Sequence, residues 1–118
     1  MMLYHFKVKN EMEEAWMPVR NIMDSPEVDE LFQTILMLDN AEECRNFFED
    51  LCTVKELRDM AQRLHAAKML LAGATYEQIQ QRVEISTATI SRVNRCIQYG
   101  AGGYETMLGR LTEKPKEN

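Results

Sequence analysis

The residues best suited to chemistry lie in one stretch, TYEQIQQRVEISTATISRVNR, residues 75–95. Arg92 and Arg95 stand about one helical turn apart, and each presents a planar fork of hydrogen-bond donors. Such forks match phosphate oxygens or the O6/N7 edge of guanine. The hydroxyls of Ser86, Thr87 and Ser91 can donate or accept beside them. This is the chemistry of gripping a polar, anionic surface. Bond-breaking chemistry has little support: no Ser/His/Asp or Cys/His arrangement, phosphate-binding glycine loop or metal cluster stands out. His5 and His65 are the only histidines, and His65, inside a long helical pattern, reads as a packing or surface residue. Cys44, Cys52 and Cys96 are odd in number and lack CxxC spacing, so no metal site is expected. Cys44 and Cys52 lie among apolar neighbours and read as buried free thiols, which fits a reducing compartment.

Elements must exist to hold those side chains. The stretch divides into two short helices broken at Glu84-Ile85-Ser86. Thr75-Tyr76-Glu77-Gln78 has the form of a capping box, which predicts a short helix burying Tyr76, Ile79 and Val83. After the break, Ile90, Val93 and Ile97 mark the core face of a second helix. At about 100° per residue, Ala88, Arg92 and Arg95 point nearly opposite that face, with Ser91 on the same side. Ser86 and Thr87 sit at the N-terminal end, where free N–H groups and the helix dipole favour phosphate. Thr75, Tyr76, Gln80 and Gln81 on the first helix are uncharged candidates for backbone contacts. This is the layout of a helix-turn-helix DNA reader. Glu84 is the discordant residue, because a positive φ is often required in such turns and a non-glycine there stores about 1 kcal/mol of strain.

Upstream, helix signals continue back to Ser25-Pro26-Glu27, an N-cap followed by a proline at the first helical position. Asn40-Ala41-Glu42-Glu43 opens a second helix through about Leu51, and Thr53-Val54-Lys55-Glu56 opens the longest. That helix carries an apolar stripe of Leu57, Met60, Ala61, Leu64, Ala67 and Leu71 and ends before Gly73. A last helix is expected over Tyr104–Leu111. The predicted class is all-α with about six helices: a helical domain over residues 25–112, its helix-turn-helix about 75–97, and a disordered tail over 113–118. Residues 1–24 read as an N-terminal extension of uncertain structure, either a leader before an internal start at Met23 or a genuine arm. Tyr4, Phe6 and Val8 alternate like a strand, and Glu11–Met17 like a helical turn or two before Pro18.

The formal net charge of −5 runs against a DNA reader, but it is unevenly spread. Residues 11–50 hold twelve acids against Arg20 and Arg45, whereas residues 75–99 hold three arginines against Glu77 and Glu84. Attraction to DNA depends on the face presented, not on the sum alone. No apolar run approaches the roughly 20 residues that cross a bilayer or the length of a signal peptide, so a cytoplasmic location is expected.

The strings FFEDLCTVKELRDMAQRLHAAKMLLAG and TYEQIQQRVEISTATISRVNR resemble the Trp repressor family, and still more its YerC/YecD-type relatives, across roughly residues 27–111. The resemblance implies an intertwined homodimer whose two heads meet successive turns of a palindromic double-stranded DNA operator. It makes Leu31, Ile35, Leu38, Phe47, Phe48 and Leu51 candidates for dimer core. It matches the recognition positions to Thr87, Ala88 and Ser91, and the effector-binding threonine and two arginines to Thr53, Arg63 and Arg92. Two positions depart from the family pattern. Val93 replaces the glycine after the second arginine, filling space an indole would use, and Cys96 replaces a serine. Tryptophan is therefore not expected as corepressor, and a different small effector, or none, stays open. The expected function is a transcriptional regulator, a repressor type, working without a membrane or a cofactor. The competing expectation is a helical dimer that binds another protein, its acidic segment 11–50 facing a basic partner.

Overall fold

The computed structural model describes residues 23–113, which form six helices. The strand-like alternation and helical turns expected before residue 23 lie outside the described residues, as do residues 114–118 of the expected tail. The first tail residue, Glu113, is helical instead. The chain divides into two compact units between Asp50 and Leu51.

The N-terminal unit carries α1 (Pro26–Leu36) and α2 (Ala41–Leu51), whose last residue belongs to the next unit. Ser25 caps α1 by accepting a hydrogen bond from the Val28 amide at 3.2 Å. At α2 the expected Asn40 cap forms, and only its return hydrogen bond is displaced by one residue. Asn40 Oδ1 accepts from the Glu43 amide at 2.9 Å, while Glu43 Oε1 reaches back to the Asp39 amide at 3.0 Å. Two orphan donors are satisfied all the same. Neither helix buries a large apolar side chain: Pro26 is the one buried residue of α1, and α2 has none. Cys44 is exposed and Cys52 half-buried, which corrects the expectation of two buried thiols. Their apolar neighbours, Phe47, Phe48 and Leu51, are themselves half-buried or exposed and build no interior to hide a thiol in.

The C-terminal unit is organised around α3 (Val54–Leu71), which packs against α4 (Tyr76–Arg82), α5 (Thr87–Tyr99) and α6 (Gly103–Glu113). Thr53 opens α3 with a complete capping box, and Gly73 closes it at φ 93°. There the Ala74 amide donates to Met69 O and the Gly73 amide to Leu70 O, both at 3.0 Å, a Schellman ending that requires a left-handed residue. Two neighbouring alanines of α3 each serve a different core cluster. Ala66 packs with Ile79, Val83 and Ile90, and Ala67 packs with Val93 and Leu108. Methyl-sized side chains let the other helices approach α3 closely. The apolar stripe expected along α3 is only partly used, since Met60, Leu64 and Leu71 remain exposed. Of that stripe Ala67 is fully buried as expected, and Ala66, Met69 and Leu70 join it against the neighbouring helices.

Candidate nucleic-acid interface

The head is assembled from α4, a turn and α5. Thr75 forms its box with Gln78: Thr75 Oγ1 accepts from the Gln78 amide at 3.1 Å, and Gln78 Oε1 accepts from the Thr75 amide at 2.9 Å. α4 then needs only seven residues to bury Ile79 and deliver Val83 to the core. The turn enters and leaves through extended backbone, at Val83 (φ −128°, ψ 134°) and Ser86 (φ −81°, ψ 158°). Gln80 Nε2 spans it, donating to Ile85 O at 3.1 Å. Ser86 caps α5, its Oγ accepting from the Thr89 amide at 3.1 Å and donating to Thr89 Oγ1 at 3.0 Å.

α5 is two-faced. Ile90 and Val93 are buried, whereas Thr87, Ala88, Ser91, Arg92 and Arg95 are all exposed. Neither arginine forms an ion pair or side-chain hydrogen bond with another described residue, so both forks are free to meet a ligand. The supporting helix is less uniform. Thr75 is exposed, but its hydroxyl is engaged in the cap; Tyr76 is half-buried against the Ile79 cluster; Gln80 is exposed but tied to the turn. Ser86 is likewise exposed with its hydroxyl engaged. The structure thus gathers the five α5 residues on one open face and gives Thr75, Tyr76, Gln80 and Ser86 structural duties as well. Sequence reasoning passed over Tyr99, which is 82 % exposed and continues the same stripe; its spacing of eleven from Ala88 was the available signal.

A cleft of about 310 Å³ lies beside the head. Its walls are Lys55, Asp59, Gln62 and Arg63 of α3, the turn residues Glu84–Ser86, and Thr89 and Arg92 of α5. It brings together Arg63 and Arg92 from the candidate effector set. Thr53 does not line it, and the Thr53 hydroxyl accepts from the Glu56 amide at 3.0 Å instead. Val93 is 2 % exposed, packs with Ala67 and Leu108 and does not line the cleft, while Cys96 is exposed. Inside the cleft Lys55 Nζ bonds Asp59 Oδ2 at 2.9 Å. That hydrogen bond holds the Asp59 carboxyl below its ordinary value of 3.8; partial desolvation opposes it, and the charges of Lys55, Arg63 and Arg58 add to it. Glu84 brings a second carboxylate to the wall.

A capped short helix, a tight turn and a second helix with one buried and one open face define a helix-turn-helix protein, here all-α. Residues 26–112 match the Trp repressor protein family, and the chain belongs to that family. It is 50 % identical over 92 residues to the uncharacterised protein YerC of Bacillus subtilis (strain 168), covering 78 % of this chain and 88 % of that protein. A TrpR-like protein from Eubacterium eligens ATCC 27750 superposes with a TM-score of 0.76 at 44 % identity, over 81 % of this chain and 99 % of that one. A candidate Trp repressor from Staphylococcus aureus gives 0.70 at 42 % identity, over 92 % of this chain and all of that one (100 %).

Proposed function

We propose that the chain is a sequence-specific DNA-binding transcriptional regulator, a repressor type, that acts as a homodimer on a palindromic operator. The observation that carries the reading is the open face of α5: two exposed arginines, unpaired among the described residues, beside small and hydroxylated residues on a buried Ile90–Val93 spine. Family membership supports the same reading. Thr87, Ala88 and Ser91 meet base edges, while Arg92 and Arg95 take guanine or phosphate. Dimerisation is supported by apolar surface that one chain leaves open. Phe32, Leu36, Met37 and Leu51 are exposed in or beside α1 and α2, as are Met60, Leu64, Leu71, Met107 and Leu111 on α3 and α6. Monomeric soluble proteins seldom leave so much large apolar surface to water. Leu31, Ile35, Leu38, Phe47, Phe48 and Leu51 are half-buried or exposed and would complete their burial in the dimer. Tryptophan is not assigned as effector, because Val93 stands after Arg92 where the family pattern has glycine; a different small effector would use Arg63 and Arg92, which share the polar cleft.

Selection of bound duplexes from a random pool tests the proposal, and a palindromic consensus is the expected product. Arg92→Ala or Arg95→Ala should then weaken binding to that duplex by about 1–3 kcal/mol for a base contact, or lower the salt slope by about one for a phosphate contact. A folded protein that enriches no duplex at low salt refutes the reading.

A further inference from the structure

We infer that Tyr99 is a DNA-backbone contact: its phenol hydroxyl donates to a phosphate at the edge of the groove in which α5 lies. The inference rests on the DNA-reading proposal and adds a residue to it. Ala88, Arg92, Arg95 and Tyr99 follow one another at spacings of four, three and four. At about 100° per residue they fall within a sector about 60° wide, directly opposite Ile90 and Val93. Tyr99 is the last residue of α5 and is 82 % exposed, so its ring and hydroxyl stand open to a ligand. Its hydroxyl makes no hydrogen bond to another described residue.

Length decides what it meets. The thirteen residues of α5 span about 20 Å at 1.5 Å per residue, against a major groove about 12 Å wide. A helix that places its N-terminal residues on base edges and crosses the groove therefore carries its last turn toward a sugar–phosphate strand. The charge agrees: α5 holds two arginines and no acid, so the stripe leading to Tyr99 carries net positive charge. Gly100 follows as the C-cap, where a Cβ would run into the carbonyl oxygen of Cys96. Tyr99 is thus the terminal side chain of the open face, and a neutral hydroxyl on a rigid ring is a suitable donor to a phosphate oxygen at fixed reach.

The test compares wild type, Tyr99→Phe, Tyr99→Ala and Arg95→Ala on the selected duplex and on a scrambled duplex of the same length, across a salt series. Tyr99→Phe should weaken binding to both duplexes about tenfold, the order expected when a hydrogen bond to a charged group is lost. The salt slope should not change, because a phenol releases no counterion, whereas an Arg95 phosphate contact would contribute about 0.9 to the slope. If wild type binds and both Tyr99 variants bind equally tightly, the inference is wrong and the DNA reading stands. If Tyr99→Ala weakens binding but Tyr99→Phe does not, the hydroxyl is not the contact. A Tyr99→Ala protein that changes its oligomeric mass while keeping its affinity would assign the ring to a second copy of the chain and overturn the inference. Wild type that binds neither duplex removes both readings together.

Discussion

The two units of this chain solve the burial problem differently. The C-terminal unit closes two small clusters on itself, around Ala66 with Ile79 and Ile90, and around Ala67 with Val93 and Leu108. The N-terminal unit has equally apolar helices, yet Phe47 and Phe48 meet edge to face with centroids 5.6 Å apart and are still only half-buried. The difference teaches that similar amphipathic patterns specify different things. In the head, the pattern specifies contacts within one chain; in α1 and α2 it leaves a face whose proposed complement is a second copy.

The largest blow to that contrast would come from the head's interior. Ile90→Ala should cost about 2–5 kcal/mol in chemical denaturation, a large share of the 5–15 kcal/mol typical of a domain. A cost under about 1 kcal/mol would mean the head is held from outside itself. Next in size, Phe48→Asp should reduce the mass measured by light scattering from two chains to one, and the melting midpoint of wild type should rise with protein concentration. A wild-type protein that stays a single chain at high concentration would leave α1 and α2 without the proposed complement. Thr53→Ala should lower stability by about 1 kcal/mol through loss of the α3 cap, equally with and without candidate effectors. An effect that appears only with a small molecule would return Thr53 to the effector set.

The smallest effect concerns acid. Asp59 has its carboxyl pKa lowered in the folded state, mainly by Lys55, so this stabilisation is present above the ordinary value of 3.8 and is lost as pH falls through the lower folded value. Asp59→Asn should remove that acid-limb dependence and leave the neutral-pH melt nearly unchanged, since the ion pair is exposed.

What could be read in the sequence was what is decided locally. Ser25, Thr53 and Thr75 cap as expected because a cap needs only the next three residues. The core face of α5 was equally legible, since Ile90 and Val93 are large and correctly spaced. The buried face of α3 was legible only at Ala67; Ala66, whose methyl carries a weak apolar signal and matters for closeness of approach, was not marked by the pattern. Leu64 and Leu71 carried a stronger signal and lie open. The exposure of Cys44 and the tie from Gln80 to Ile85 depend on where the chain goes next, which no short window of sequence contains. Arg63 and Arg92 were named by family resemblance, but only the fold shows that Glu84 shares their cleft and Thr53 does not.

The brevity of α4 has a kinetic consequence. Seven residues are too few for a helix to persist alone, where about 12–15 is already marginal. It survives because Thr75 fixes one end and Ile79 is held in the Ala66 cluster. Whenever Ile79 leaves that cluster, the whole helix should melt and the turn should lose its Gln80 brace. The head therefore has one opening event rather than several, and the amides of α4 and the geometry of α5 should share a single clock.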